Sequence, residues 1–444
     1  MNLSRIRKLP LVAAIVGLGA LGAVAPAVAD DAPAPFQFKG YARSGFATAN
    51  KGGDQVCFGL AGVSKYRFGN ECGTYGEFEM LANVYEVADG PKFVYDVMFG
   101  YYNDGSQNNG SVSGAQPIGW DLRQNWVGVT GVGDGAIKTA TFWVGRRYYQ
   151  RHDVHINDFF YIGSRGQGAG MENLDIGTGK LSVALLRSQT SASSFDPTTS
   201  PTGTTFDVRW SKIPVNPDGL LEAAFDIRSQ DKADTTPEAA RIKSGWSMTL
   251  EHTQTKVAGG ANKFVVQYGK DAGANLNTGD PGAYGFVPTT AASPKAWRVL
   301  DNIVVQPVTE IALNGLALYQ KDSNFQGIEN ATRSWMSFGV RPIYQWSQYA
   351  ASAIELGFDR VKIDGTGSAA DGKSANLTKL TVAPIVLRPG PGFFKRPELR
   401  LFATFAKWND AANTLGGAKG LTGTSAYATS TSGTTVGAQF ETWF

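Results

Sequence analysis

The sequence predicts an all-β protein whose strands close into an antiparallel barrel across a membrane. Three observations lead to this prediction: an N-terminal segment typical of export, short segments in which apolar and polar side chains alternate, and a chain end in two aromatic residues, Trp443 and Phe444. Alternation with a period of two is the pattern of strands. Because no unpaired strand edge can remain in lipid, strands cross a membrane only as a closed barrel.

The N-terminal segment has the three parts of a secretory signal peptide. A basic stretch is followed by an apolar run that ends in Ala27-Val28-Ala29, an A-x-A cleavage site. A retained membrane anchor is the alternative, but polar Asp30 follows the site directly. We therefore expect residues 1–29 to be removed and residues 30–444 to form the mature barrel.

The composition excludes several classes of protein. The chain of 444 residues carries a net charge of +3, which is too small to suggest a nucleic-acid partner. Charged residues make up 18% of the chain, below the roughly 25% of soluble domains. After residue 30 no apolar run approaches the roughly 18 residues of a membrane-spanning helix, so a crossing would have to be made by strands.

Alternating segments recur along the chain. In one of them Leu221, Phe225 and Ile227 share a parity, opposite Glu222 and Asp226. Comparable apolar sets are Phe36, Phe38 and Phe46; Phe93, Tyr95, Val97, Phe99 and Tyr101; Trp246, Met248 and Leu250; and Ile354, Leu356 and Phe358. The stretches between them are rich in Gly, Ser, Asn and Asp and predict loops, many of them too long for tight hairpins.

Two all-β architectures fit this alternation. A soluble sandwich or β-helix would bury the apolar parity in a core, whereas a transmembrane barrel turns it toward lipid and the polar parity toward a wet lumen. Export, aromatics near the segment ends and the aromatic C-terminus favour the barrel. On that interpretation Phe444 faces lipid where the last strand closes on the first, and Trp443 faces the lumen.

A series of motifs connects the chain to a known family. In order they are "GYARSG" from Gly40, "SKYRFGNECGTYGEFE" from Ser64, "RRYYQRHDVHINDFFY" from Arg146, "GVRPIYQW" from Gly339 and "RPELRLFATFAKW" from Arg396. From Gly40 to Phe444 they resemble the maltoporins, the sugar-specific trimeric porins of Gram-negative outer membranes. The resemblance implies an 18-stranded antiparallel transmembrane β-barrel with long extracellular loops, assembled as a homotrimer. It also implies passive diffusion of maltose and maltooligosaccharides, contact with outer-membrane lipid, and no cofactor.

The resemblance assigns roles to individual positions. An aromatic slide along the lumen maps onto Tyr41, Tyr75, Phe394 and Trp443, and a charged track beside it maps onto Arg43, Arg67, Glu77, Arg123, Arg151 and Asp158. A generic charged pore lining is the alternative role for the arginines. Cys57 and Cys72 match the first-loop disulfide of the family. These are the only two cysteines, and an exported chain meets an oxidising compartment, which also favours a disulfide.

Parity supports the slide positions independently of the resemblance. Tyr41 shares a parity with Arg43, and Tyr75 shares one with Glu77. Phe394 shares one with Arg396, which places it on the wet side. Phe393 beside it has the lipid-side parity, and a slip of one residue would exchange the two rings.

Three departures from the family pattern leave the substrate open. Ala261 stands where the family has a slide Phe, and Phe160 stands where the family has the Tyr of the narrowest point. The Trp that the family's second loop extends into a neighbouring subunit has no clear match, and Trp120 is the nearest candidate. A porin for sucrose or a β-glucoside, or a non-specific porin, therefore remains an alternative.

The residues do not indicate an enzyme or a metal site. An outer-membrane lipase would need a Ser/His pair, but the three histidines, His152, His155 and His252, accompany no serine in a recognisable nucleophile context. His152 and His155 have the spacing H-x-x-H. On a strand, positions three apart point to opposite faces, so we expect no shared metal.

Overall fold

The structure is a computed structural model. It describes residues 35–52, 55–103, 119–189, 202–231, 243–276, 291–415, 421 and 425–444. The predicted signal peptide, residues 1–29, lies outside these ranges.

Strands dominate the described residues. In chain order they are β1 (Phe36–Ala49), β2 (Thr74–Glu86), β3 (Lys92–Asn103), β4 (Gly119–Thr130), β5 (Thr141–Tyr148), β6 (His152–Val154), β7 (Phe159–Ile162), β8 (Arg165–Asp175), β9 (Lys180–Gln189), β10 (Thr202–Asn216), β11 (Gly219–Asp231), β12 (Gly245–Val257), β13 (Gly260–Lys270), β14 (Lys295–Val308), β15 (Ile311–Ser323), β16 (Thr332–Gln345), β17 (Ala350–Asp364), β18 (Ser374–Leu387), β19 (Glu398–Trp408) and β20 (Ser432–Trp443). One short α-helix, α1 (Asp410–Thr414), lies before β20. Short 3-10 helices lie at Gly135–Thr139, His155–Asn157, Asp271–Gly273 and Phe325–Gly327.

Eighteen of the described strands form one closed antiparallel barrel, as predicted. Each strand pairs with the next along the chain, except that β5 pairs directly with β8 because β6 and β7 form a separate two-stranded sheet. The barrel closes where β1 pairs with β20, with Tyr41 opposite Trp443. At the last residue the backbone N–H of Gly40 donates to the carbonyl of Phe444 at 2.9 Å, and the N–H of Phe444 donates back at 3.1 Å.

The two faces of the wall follow the alternation seen in the sequence. On β11 Phe225 and Ile227 are exposed on the outside, whereas Asp226 and Arg228 are buried on the inside. This is the reverse of a soluble sandwich, in which the apolar parity would be buried. In the described part of the chain, no helix is long and apolar enough to span a membrane.

The ends of the barrel differ in the length of their connections. At one end, here called the turn end, strands are joined by short segments such as residues 217–218 and 258–259. At the other end, called the loop end, most connections are longer. Two of these fold back into the barrel: the first loop (residues 50–52 and 55–73) and the third loop (residues 149–164), which contains β6 and β7.

The first loop is fastened to the inner wall. The ring of Tyr66 lies against Gly339 on β16 and Gly357 on β17, where added Cβ atoms would come within 1.9 Å and 2.2 Å of the ring. Only glycine leaves room for an aromatic ring that close to the strand backbone. The predicted disulfide between Cys57 and Cys72 is present in this loop.

The third loop packs against β12 and β16 of the inner wall and meets the first loop. Phe159 contacts Trp335 edge to face at 5.2 Å, and the Tyr161 hydroxyl donates to Glu251 at 2.7 Å. The backbone N–H of Arg67 donates to the carbonyl of Ile156 at 3.0 Å, which joins the two loops. Their buried apolar side chains give the barrel an interior core and narrow the lumen.

Candidate functional site

Four aromatic rings form a continuous row along the lumen. The ring centroids of Tyr75 and Tyr41 are 5.9 Å apart, those of Tyr41 and Trp443 are 6.4 Å apart, and those of Trp443 and Phe394 are 6.4 Å apart. Tyr41 and Trp443 are the most nearly parallel pair, with 19° between their planes. These are the four positions that the family resemblance assigned to an aromatic slide, and the fold brings them together.

Cross-strand pairing explains why three of these rings face inward. Tyr41 lies opposite Trp443 on one side and opposite Glu77 on the other. Tyr75 lies opposite Arg43. Since directly opposed residues of a sheet point to the same face, the rings and their charged neighbours line one side of the wall.

Phe394 reaches the row by a different route from the one that parity predicted. It lies in the connection of residues 388–397 at the turn end, because β19 begins only at Glu398. Strand parity therefore does not apply to it. The expectation that Phe393 would have the lipid side is wrong, because its ring is 4% exposed and lies 6.0 Å from His155 inside the barrel.

A network of charges is centred on Arg67 of the first loop. Its guanidinium lies 3.1 Å from Glu71, 3.0 Å from Glu441 and 4.0 Å from Asp158. It also donates to the Tyr41 hydroxyl, which in turn donates to Glu441 at 3.1 Å. The network therefore fixes the position of the Tyr41 hydroxyl, at the edge of one of the two middle rings of the row.

The Glu71 carboxylate of this network is held in its charged form. Arg43 lies 2.6 Å from Glu71, so two guanidinium groups share that carboxylate. Burial alone would raise the pKa of Glu71, but the attraction of Arg67, Arg43 and Lys65 outweighs it and lowers the pKa below its usual value. Burial lowers the pKa of Lys65 to about 8.

His155 is a member of the site that the sequence considered only as a metal ligand. Its ring lies 5.6 Å from the Trp443 ring and 5.7 Å from the Phe394 ring, both edge to face. Its two nitrogens lie 3.4 Å from the guanidinium groups of Arg67 and Arg396. Burial lowers the pKa of His155 well below the usual 6.5, so the ring is neutral.

His155 and His152 turn to different partners. His155 lies in a 3-10 turn, so the strand argument made from the sequence does not describe it. His152 places Nδ1 2.7 Å from Glu251. Among the described residues no group of three or more His, Cys, Asp or Glu side chains is placed to hold a metal ion.

A second group of charges and rings adjoins Tyr75. The hydroxyls of Tyr75 and Tyr148 both donate to Glu77, the latter at 3.4 Å. The guanidinium of Arg151 lies 3.5 Å from the Tyr148 ring centroid and 4.6 Å from the Phe160 ring centroid. Within the part of the chain that the structure describes, no carboxylate lies within ion-pair distance of Arg151, so its charge stays available to the lumen.

Arg123 faces the lumen because of a β-bulge. The register between β3 and β4 shifts after Met98, so that Arg123 is the extra residue of β4. Its side chain lies over Gly100, whose position pairs with lumenal Glu77, and ion-pairs with Asp121 at 3.2 Å. A bulge re-aims a side chain in this way without interrupting the sheet.

Trp120 lies apart from the row. It packs on Tyr101 with ring centroids 5.5 Å apart, on the outer face of the wall, and is 67% exposed. A contact between Trp120 and sugar in the lumen of its own subunit is therefore excluded by the fold. Its assignment to a neighbouring subunit stays a prediction.

The other two departures from the family pattern, Ala261 and Phe160, lie at separate points of the lumen. Ala261 on β13 faces inward between Thr255 and Val304, well separated in sequence from the strands of the ring row. Phe160 on the third loop lies beside Arg151. Neither position supplies a ring continuous with Phe394 or a hydroxyl beside Tyr75.

Sequence reasoning missed Glu441, Arg396 and Tyr148 as well as His155. Glu441 shares the parity of Trp443, so the alternation alone would have predicted that it faces the lumen. Tyr148 and His155 lie inside the quoted motif that begins at Arg146. Arg396 lies just before β19 and bonds Glu441 on the adjacent β20 at 2.7 Å, a contact that follows from the pairing of these two strands.

The arrangement suits a ligand with an apolar face and a polar rim. Aromatic rings can stack on the face in a sequence of equivalent positions, and guanidinium and carboxylate groups can bond hydroxyls at the edge. A closed strand barrel with such a lumen is the architecture of a porin. The comparison with protein families makes this specific: the LamB porin family matches residues 36–444, and the chain belongs to that family.

Several solved structures align with most of the chain at low sequence identity. OmpF of Salmonella typhi, solved with daunomycin, is 13% identical over 92% of this chain and 97% of that chain, with a TM-score of 0.43. OpdQ of Pseudomonas aeruginosa is 9% identical over 93% of this chain and 99% of that chain, with a TM-score of 0.48. OpdK of the same organism, solved with vanillate, is 10% identical over 92% and 99%, with a TM-score of 0.47.

Proposed function

We propose that this porin conducts maltose and maltooligosaccharides by passive diffusion across the outer membrane of a Gram-negative bacterium. The observation that carries the proposal is the ring row Tyr75–Tyr41–Trp443–Phe394, whose central hydroxyl is bonded to Arg67 and Glu441. A series of weak, similar positions allows a sugar to enter and also to leave, as conduction requires.

The experiment that tests it is single-channel recording in a planar bilayer. Maltose to maltoheptaose and, separately, sucrose and a β-glucoside are added, and the block of ionic current is measured. Block that tightens with the number of glucose units supports the proposal. Tighter block by sucrose or by the β-glucoside would assign another sugar, and conductance that no sugar reduces would make this a non-specific porin.

The proposed assembly is a homotrimer in contact with lipid. Five outward rings adjoin one another from β20 to β4, with centroid separations of 5.3–6.2 Å: Phe444, Phe38, Phe78, Tyr101 and Trp120. So continuous an aromatic surface suits either a neighbouring subunit or the lipid interface. Analytical ultracentrifugation in detergent, with the detergent density-matched, separates a trimer from a monomer.

We also propose that residues 1–29 direct export and are removed. The sequence pattern that supports this is the apolar run ending in Ala27-Val28-Ala29. Intact-mass measurement of the protein purified from outer membranes tests it, since cleavage after Ala29 gives a defined loss of mass. An intact mass for the full 444 residues would refute it.

A further inference from the structure

The ring row continues beyond Tyr75 toward the loop end. Tyr102 near the end of β3 lies 6.4 Å from Tyr75 between ring centroids, at 63° between the planes. Tyr102 pairs directly with Tyr75, and Tyr75 pairs directly with Arg43, so all three lie on the lumenal face. Tyr102 is 42% exposed, whereas the four rings already described are half-buried. It is therefore the most open ring of the row.

Charged groups flank this end of the row. The guanidinium of Arg43 lies 5.6 Å from the Tyr75 ring centroid. Arg123 and Asp121, both on the lumenal face, form a partly exposed ion pair at 3.2 Å. Gly100 pairs with Glu77, which in turn pairs with Tyr41. Because Gly100 has no side chain, it leaves space for the side chain of Arg123. An aromatic face with donors and acceptors at its edge is the same combination that surrounds Tyr41.

We propose that Tyr102 and Tyr75, with Arg123 and Asp121, form a mouth subsite that takes one pyranose ring of an oligosaccharide. The inference rests on the proposed function and adds to it a sugar-binding subsite that is formed by the barrel wall of the same subunit. An oligosaccharide long enough to reach from Trp443 to Tyr102 contacts this subsite while its leading unit occupies the central rings. A disaccharide held at Tyr41 and Trp443 does not reach it.

The neighbouring residue provides a matched control. Tyr101 is the same residue type one position earlier on β3, but it faces outward and covers Gly76. Tyr101→Ala therefore changes the same amount of side chain on the opposite face. Tyr102→Phe keeps the ring and removes only the hydroxyl.

The test is sugar block of single channels formed by the full-length protein and its three variants. Tyr102→Ala is expected to weaken block by maltoheptaose about five-fold or more, since a stacked ring contributes at least ~1 kcal/mol. Block by maltose is expected to change less than two-fold, and Tyr102→Phe and Tyr101→Ala are expected to behave as the unmodified protein. Open-channel conductance in salt alone shows that each variant has inserted as a folded pore.

Two results would overturn the proposal, and they differ from failure of the proposed function. Equal maltoheptaose block by the Tyr102→Ala and Tyr101→Ala variants would show that Tyr102 contributes nothing. An equal loss for maltose and maltoheptaose would assign Tyr102 to the central site instead of a separate mouth subsite. If the unmodified protein is blocked by no sugar, the proposed function and this inference fail together.

Discussion

Tyr41 on the first strand and Trp443 on the last strand lie opposite each other across the seam that closes the barrel, with their rings 19° from parallel. The centre of the ring row is therefore built from the two ends of the barrel wall. It exists only when the seam is closed.

Replacing Trp443 tests the centre of the row. Trp443→Ala is expected to weaken sugar block by about 5- to 150-fold, because one stacked ring contributes ~1–3 kcal/mol. Phe440→Ala is the control, since Phe440 lies on the same strand but faces outward. The measurement is the sugar concentration that halves the single-channel current. Similar losses in the two variants would show that the strand, and not the lumenal ring, is responsible.

The strands could be predicted from the sequence because the two faces of each strand differ in polarity, and the residues of the two faces alternate along the chain. On β11 the exposed Phe225 and Ile227 and the buried Asp226 and Arg228 follow the predicted parity. Tyr41, Tyr75 and Trp443 could be placed in the lumen in the same way. Local alternation suffices for this, since the side of a strand on which a residue lies is fixed by period two.

The rest of the site depends on contacts that alternation does not encode. Phe393 and Phe394 lie in a connection at the turn end, where period two has no meaning. Arg123 reaches the lumen through a bulge, which reverses the parity of the residues before it. His155 lies in an inward-folded loop. The fold of this loop is set by distant partners such as Trp335 and Glu251, which the local sequence cannot specify.

Arg67 is expected to hold both the shape and the charge of the constriction. Arg67→Ala removes the group that joins Glu71, Glu441 and Tyr41, and should shift the reversal potential in a salt gradient toward cations. Because Arg43 still neutralises Glu71 and Arg396 still neutralises Glu441, the destabilisation should be nearer ~1–3 kcal/mol than the ~3–5 kcal/mol of a fully orphaned buried charge.

Arg67→Lys separates the charge of this side chain from its geometry. Lysine keeps one positive charge but lacks the planar fork that reaches two carboxylates and a hydroxyl together. Ion selectivity should therefore be retained while sugar block weakens. If sugar blocked the lysine variant as tightly as it blocks the unmodified protein, the hydrogen-bonded geometry around Tyr41 would be unimportant for sugar binding.

The two glycines beneath Tyr66 are expected to determine the position of the first loop. A methyl group at Gly339 would overlap the Tyr66 ring, so Gly339→Ala should lower the free energy of unfolding by ~1–3 kcal/mol. It should also lower the temperature of sample heating at which the band of the folded protein disappears from a gel. The same change in a Tyr66→Ala background should cost much less, because the overlap is then absent. Gly119→Ala is the control, as the nearest atom to an added Cβ there is 3.8 Å away. Equal costs with and without Tyr66 would contradict this account.

His155 is expected to add no pH dependence to sugar block between about pH 7.5 and 5.5. Burial lowers the pKa of His155 well below the usual 6.5, and Arg67 and Arg396 on either side oppose a further positive charge, while Glu441 favours one. The imidazole therefore stays neutral across this range. The unfolded chain takes up a proton near pH 6.5 that the folded protein does not, so this residue's contribution makes the folded state less stable as pH falls below about 6.5. A change in block with a midpoint near pH 6.5 that His155→Gln abolishes would show that the ring titrates in place.

Restoring an aromatic ring at Ala261 is expected to strengthen binding of long oligosaccharides selectively. Ala261 faces the lumen between Thr255 and Val304, and a phenyl ring there would add a stacking position at a point where the described row has none. Ala261→Phe should tighten maltoheptaose block about five-fold or more and leave maltose block nearly unchanged, since a short sugar held at Tyr41 does not extend so far. Phe264→Ala on the outer face of the same strand controls for changes in β13 itself. Equal tightening for both sugars would mean that the added ring narrows the channel without extending the row, and no tightening would mean that the sugar follows a path that does not pass β13.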